Sequence, residues 1–225
     1  MPDLYPARVR NKIIILNIRD NKFYILSSSD SETLLKCYSG KSDKNVIFMG
    51  NKLLSDSYSE HDEHALFNKR DNLGINTNFW SLKHSDISFD KLSVITPLIK
   101  SLHISHKLLK SGIFFTINNL IKRQSHAKNK ELNLPQVIKH LNAATMIYRP
   151  KTKCLEWSIA LLHYIIQFGY NPIFKIGVQN NPFYSHSWVE FNGEIIGDIK
   201  DLNERMVVIF RFDFEGKNDK YNSIL

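Results

Sequence analysis

The chain has 225 residues, 43% of them hydrophobic, and a formal net charge of +8. That length supports one large or two small domains with real cores, and two cysteines are too few for a disulfide framework. The N-terminal MPDLYPARVRNK has no apolar signal core and no run approaches ~18 uninterrupted apolar residues, so stable membrane insertion is not expected and the protein reads as cytoplasmic.

The first thirty residues describe a small antiparallel sheet. Tyr5 to Arg10 is a weak first strand, Ile13 to Ile18 a strong second, and Phe23 to Ser27 a third after the polar turn Arg19-Asp20-Asn21-Lys22. A short helix follows from Asp30 through Leu34, Leu35 and Tyr38, capped by Ser29 or Asp30 and ending near Gly40. Residues 46 to 56 fit no single pattern. Tyr58 to Leu73 is a further helix candidate, with Ala65 and Leu66 among its apolar positions and Gly74 as its stop. Three strands followed by short helices describe a winged-helix-like domain over residues 1–80.

A DNA-reading helix should present Arg and Lys to a groove. The candidate helix instead carries Glu60, Asp62, Glu63 and Asp71 beside only Lys69 and Arg70, so no nucleic-acid partner is expected. His61 with His64, and His103 with His106, have HxxH spacing but lack a third ligand, and no metal is expected. Gly40-Lys41-Ser42 lacks the earlier glycine of a phosphate-binding loop.

After a linker, residues 76 to 90, anchored by Phe79 and Trp80, helical periodicity takes over. Val94, Ile95, Leu98, Ile99, Leu102, Leu108 and Leu109 share a face, with Pro97 tolerable near the start, and Gly112 interrupts the pattern. A second apolar run spans Ile113 to Ile121, and a third helix runs from Pro135 to Ile147 beyond a polar loop. Between Lys91 and Lys153 stand twelve Lys or Arg and a single acid, Glu131, so this block carries +11 and the remainder −3. It is either a solvated helical surface or a surface suited to an acidic partner, a peptide or a membrane.

A strongly apolar helix begins at Cys154, behind Pro150 and the expected N-cap Thr152, and ends at Gly169 after about four turns. Glu156, Ala160, His163 and Gln167 form its one narrow stripe, so the rest is expected to be buried. Strands follow at Ile173 to Val178, Tyr184 to Phe191, Glu194 to Ile199 and Met206 to Phe212, then a polar tail from Glu215. Residues 91–225 thus read as an α+β domain, helices first and an antiparallel sheet after.

The chemistry concentrates in this last part. A thiol in the first turn of a helix feels unpaired N–H groups and the positive dipole end, which favour the thiolate. His186 on a strand would accept and return the proton, Asp198 on the next strand would hold its tautomer, and the Cys154 backbone N–H is a natural oxyanion donor. Singly, each is more often structural. Together, in the order nucleophile helix, histidine strand, aspartate strand, they describe a thiol protease. A two-residue turn at Asn192-Gly193 would place His186 and Asp198 on opposite faces of the hairpin, so a three-residue bulged loop, Phe191 to Gly193, is expected.

The run CLxxSxALL, then GVQxxPF, then SHSWVE, then a glycine turn and an aspartate, resembles the leader peptidases of lasso-peptide biosynthesis, the B proteins of the transglutaminase-like (papain-like) superfamily. The resemblance covers residues 150 to 200 and implies that Cys154, His186 and Asp198 are catalytic. It implies hydrolytic removal of a precursor's leader peptide without a cofactor, and two partners: the precursor and an ATP-dependent, asparagine-synthetase-like cyclase. By pattern alone the N-terminal strands and helices are similar to the precursor-recognition (PqqD-like) element of such pathways. There the leader adds as a strand to a sheet edge and lies against the last helix, which here points to Phe23, Tyr24, Ile25, Leu26 and Ser27 with Leu66. A transglutaminase or other acyltransferase would use the same triad, and a non-catalytic peptide-binding scaffold would not need Cys154.

Overall fold

The computed structural model of the protein describes residues 3–38, 48–49, 52–53, 74–75, 87–124 and 131–215. The expected helix from Tyr58 to Leu73, with Leu66, and the His61 and His64 pair lie outside the described residues.

The N-terminal strands form as the alternation demands: β1 (Leu4–Val9), β2 (Lys12–Asn17) and β3 (Lys22–Ile25) make an antiparallel sheet in that order. The third strand is shorter than expected. Leu26 is buried, and Ser27 caps the following helix α1 (Ser28–Tyr38), accepting the Asp30 N–H on its hydroxyl at 3.1 Å while its carbonyl accepts the Ser31 N–H at 2.9 Å. The cap is therefore Ser27 rather than Ser29 or Asp30, because an N-cap needs its oxygen over the first free N–H groups. Two short strands, β4 (Phe48–Met49) and β5 (Lys52–Leu53), pair in the ambiguous stretch.

The two faces of the N-terminal sheet have different partners. Leu4, Ile13 and Ile15 pack with Leu26 and Leu34 against α1. Ala7, Val9, Ile14, Leu16 and Ile18 join the main core with the helices and the second sheet. Tyr5 meets Phe210 edge-on at 4.9 Å. At the β2–β3 turn, Asn21 donates to the Leu109 carbonyl (3.0 Å) and accepts the Ile113 N–H (2.8 Å), so one side chain caps the end of α2 (Leu92–Leu109) and the start of α3 (Gly112–Arg123).

The helix α4 (Leu134–Ile147) begins behind Asn133, whose side chain accepts the Gln136 N–H, with Pro135 in its first turn. Its His140 is buried and bonds Asp90 at 2.6 Å, fixing the chain where it enters α2. The Ser88 hydroxyl, and after it the His140 contact, hold the Asp90 carboxyl down to about 2. Next come α5 (Cys154–Ile165) and one 3-10 turn (Ile166–Phe168), closed by Gly169 in the left-handed region. Four strands complete the fold: β6 (Ile173–Asn180), β7 (Phe183–Phe191), β8 (Glu194–Ile196) and β9 (Val207–Asp213), ordered β8-β7-β6-β9 and all antiparallel, with a short α6 (Leu202–Arg205) before β9. Helix α5 crosses this sheet at the centre of the core, and its expected polar stripe is buried in the middle, where Ala160 is fully enclosed and His163 is 4% exposed, and open at its ends, where Glu156 is half-buried and Gln167 exposed.

Candidate active site

The position of the Cys154 thiol is set by the start of α5. Lys153 occupies the N-cap in extended conformation but has no side-chain acceptor to offer, so the helix is closed from within: the Lys153 N–H donates to Glu156 Oε2 at 2.9 Å. Thr152, the expected cap, is buried and donates to the Pro150 carbonyl instead. Cys154 is then the first helical residue, and its backbone N–H is one of those at a helix start that have no acceptor within the helix.

The histidine and aspartate meet by a route different from the expected one. The β7–β8 hairpin pairs Phe191 with Glu194, Glu190 with Ile195 and Val189 with Ile196, so its turn is the two residues Asn192-Gly193, both left-handed (φ 53° and 81°). The bulged three-residue loop does not form, because two consecutive left-handed residues match the twist of a tight hairpin. In this register Asp198 would fall opposite Ser187 and face away from His186. But β8 stops at Ile196, and Gly197, at φ 72°, turns the chain so that Asp198 Oδ2 lies 2.7 Å from His186 Nε2. The other oxygen accepts the Ile199 N–H at 2.8 Å. Trp157 of α5 packs over this turn, its indole N–H held by Asn142 Oδ1 at 3.0 Å. The helix that carries the thiol therefore also seats the aspartate.

With β8 ended, the thiol sits in hydrogen-bonding reach of His186 and of the backbone and hydroxyl of Ser187. Below it, the Ser158 hydroxyl donates to the Ser187 carbonyl (3.1 Å), tying helix to strand. Burial pushes the Cys154 thiol up, but the hydrogen bond and charge of His186, with Ser187, outweigh it and leave the pKa below its ordinary value. For His186 burial works downward, yet Asp198 and Cys154 together raise it to about 9. Both shifts favour the thiolate–imidazolium form of the pair. Since Asp198 takes Nε2, the sulfur is left with Nδ1. Such an arrangement can offer a thiol inclined to ionise, a proton donor for a leaving group and a helix-start N–H for an oxyanion.

Of the residues expected on the open sheet edge, Phe23, Tyr24 and Ile25 lie on β3, the outer strand of its sheet, and Ile25 is 43% exposed. Leu26 and Ser27 do not belong there: one is buried beneath α1 and the other caps it. His163 of the polar stripe is structural. Its Nδ1 meets the Ser101 hydroxyl at 2.9 Å, and burial with the Arg123 and Lys100 charges lowers it to about 4, so it stays neutral. His103 is exposed and His106 lies against Tyr148, the rings tilted at 51°. Among the described residues no three His, Cys, Asp or Glu gather as metal ligands, and no helix is long and apolar enough to cross a membrane.

Three features escaped the sequence reading. Gly197 turns the chain at the aspartate, Trp188 lies alongside His186 with Glu190 beyond it, and Gln179 clamps the main chain of Ile75, donating to its carbonyl at 2.9 Å and accepting its N–H. The signal for the second was present, since the alternation in HSWVE sets His186, Trp188 and Glu190 on one face of β7.

A cysteine at the head of a buried helix meets a histidine on β7 and an aspartate just past the end of β8, and residues 101–211 match the family model of the transglutaminase-like superfamily. The chain is similar to the microcin J25-processing protein McjB of Escherichia coli, 26% identical over 89% of this chain and 94% of that protein. No solved structure matches the chain.

Proposed function

We propose that this protein is a cysteine endopeptidase that removes the leader from a lasso-peptide precursor. The observation that carries the reading is the Cys154 thiol at the head of α5, set against a His186–Asp198 pair closed at 2.7 Å. Its similarity to a microcin-processing protein supplies the substrate class. The Cys154 thiolate attacks the scissile carbonyl, and the oxyanion is met by the Cys154 N–H. The His186 imidazolium gives its proton to the departing amine, leaving a thioester on the leader. Neutral His186 then takes a proton from water as the hydroxide attacks the thioester, and the thiolate is released with the leader acid, restoring the starting pair. Asp198 holds the ring throughout through Nε2.

In this reading residues 1–80 form the leader-recognition domain, and the leader extends the sheet at β3. Leu26 gives its N–H to Ile13 of β2, so alternation turns the Ile25 N–H outward toward an added strand. Phe23 lies edge-on to Phe183 at 5.5 Å, and Phe183 begins the strand that bears His186 three residues later, about 10 Å along it. A leader on β3 is thus delivered close to the thiol. The cyclase that receives the cut core peptide docks on the basic block, whose described cations are all exposed and make no ion pair among the described residues.

The test is leader removal from a lasso precursor encoded beside this chain, followed by mass spectrometry. Wild type should release the intact leader, Cys154→Ala and His186→Ala should not, and Ile25→Pro should weaken leader binding without altering the reactivity of Cys154. Cleavage by Cys154→Ala refutes the assignment. Capture of the acyl group by an added amine in preference to water would make the enzyme an acyltransferase.

A further inference from the structure

Behind His186 lies a buried polar cluster that the reaction as derived does not use. Glu190, four residues along β7, is 5% exposed and is surrounded by donors. Its Oε1 accepts from Lys175 Nζ at 2.9 Å, from the Trp188 indole N–H at 3.0 Å and from Asn203 Nδ2 at 2.7 Å, while its Oε2 lies 2.8 Å from the same lysine. Lys175 also donates to Asn203 Oδ1 at 3.1 Å, which closes the network.

Each arm of this cluster leads back to the candidate active site. Trp188 is fully buried, and its ring stacks beside the His186 imidazole, centroids 6.4 Å apart and planes 19° from parallel. Space for it exists only because β6 has Gly177 opposite His186, where a Cβ would stand 2.8 Å from the indole. The other arm is Asn203 on α6, in the short connection that leaves Asp198 for β9. One carboxylate therefore holds the support of the histidine and the connection that carries the aspartate. An ion pair needed only for stability has no reason to end on these two groups, and buried pairs are often neutral for stability against apolar replacements.

We propose that Glu190 is a positioning residue for the His186–Asp198 pair, acting through Trp188 on the histidine and through Asn203 on the aspartate. It sets the plane of the imidazole and the place of the carboxylate, so that the ring bridges Asp198 and Cys154 at the same time. Lys175 supplies the charge that keeps Glu190 ionised in a buried setting.

The inference rests on Cys154 as the nucleophile but needs no substrate to test. The readout is the rate at which iodoacetamide alkylates Cys154 as a function of pH, in a Cys37→Ser background, beside urea unfolding of the same proteins. Asn203→Ala opens one arm at a half-buried surface position, Trp188→Phe keeps a ring but loses the indole donor, and Glu190→Gln removes the charge from the centre. Each single-arm variant should lower alkylation at pH 7 by about tenfold, the scale of one hydrogen bond to a charged group, and move the alkaline limb of the profile to lower pH. Glu190→Gln should do more, and Lys175→Met with Glu190→Gln should restore folding without restoring the profile. If Asn203→Ala and the double variant fold and give the wild-type profile, Glu190 is a structural ion pair and the proposal is wrong. A wild-type profile typical of a free thiol would instead refute the reading of Cys154 itself.

Discussion

Replacing Gly197 with alanine should disarm the site without touching any reacting atom. At φ 72° an alanine carries roughly 1–2 kcal/mol of left-handed strain, and its Cβ would stand 2.5 Å from Trp157 Cη2 and 3.3 Å from Ile138 Cγ2. Trp157 is 2% exposed and tethered to Asn142, so the ring cannot slide aside cheaply, and overpacking of this kind costs about 1–3 kcal/mol more. Gly193, in the turn of the same hairpin at φ 81°, is the control, because a Cβ there meets nothing within 4 Å. Gly193→Ala should carry the backbone strain alone. Urea unfolding should therefore separate the two variants by about 1–3 kcal/mol, the overpacking share of the cost. The clash is relieved by moving residues 197 and 198 off α5, which draws Asp198 away from His186. Alkylation of Cys154 at pH 7 should fall in Gly197→Ala and persist in Gly193→Ala. Equal destabilisation with equal thiol reactivity would show that Gly197 does not aim the aspartate.

The lowered thiol and raised imidazole make a pH prediction: reactivity of Cys154 should set in below the ordinary thiol range and should change again near pH 9, where His186 loses its proton. Asp198→Asn keeps a bond to the ring but not the charge, and should bring that upper limb down; an unmoved limb would remove Asp198 from the pair. His163 gives a stability prediction of the other sign. Its folded pKa of about 4 lies below the unfolded 6.5, so its contribution is complete above pH 6.5 and is lost as pH falls through 4. After allowance for solvent screening this is worth about 2 kcal/mol, and the acid slope of the unfolding free energy should flatten in His163→Gln.

Most elements of the fold could be read from the sequence because their signals are local. Alternation marked the strands, Gly169 closed the helix of Cys154, and the apolar faces of residues 92–147 announced three helices. Misreadings arose where a local signal had two outcomes. Asn192-Gly193 is a strong sign of a two-residue hairpin, yet the need to bring His186 and Asp198 together argued for a longer loop. The conflict vanishes once β8 is allowed to end at Gly197, a glycine visible in the sequence whose purpose depends on Trp157, forty residues earlier. Similarly, Ser27 passed for the end of a strand because a cap is recognised by the N–H groups it covers, and these belong to the next element.

Burial partners were the least legible feature, and they bear most on function. Alternation along β1 and β2 says that one face is apolar but not what covers it. In the fold, Leu16 and Ile18 are enclosed with the helices around Cys154, and Asn21 caps two of those helices at once. The sheet whose outer strand is β3 is thereby packed into the same core as α5. If the leader adds to β3, its distance from the thiol is set by packing rather than by a linker, and the cleavage position should shift when residues are inserted in the substrate between leader contact and scissile bond. Cleavage that stays at the same peptide bond after such insertions would mean that the residues beside the bond, not the β3 edge, choose it.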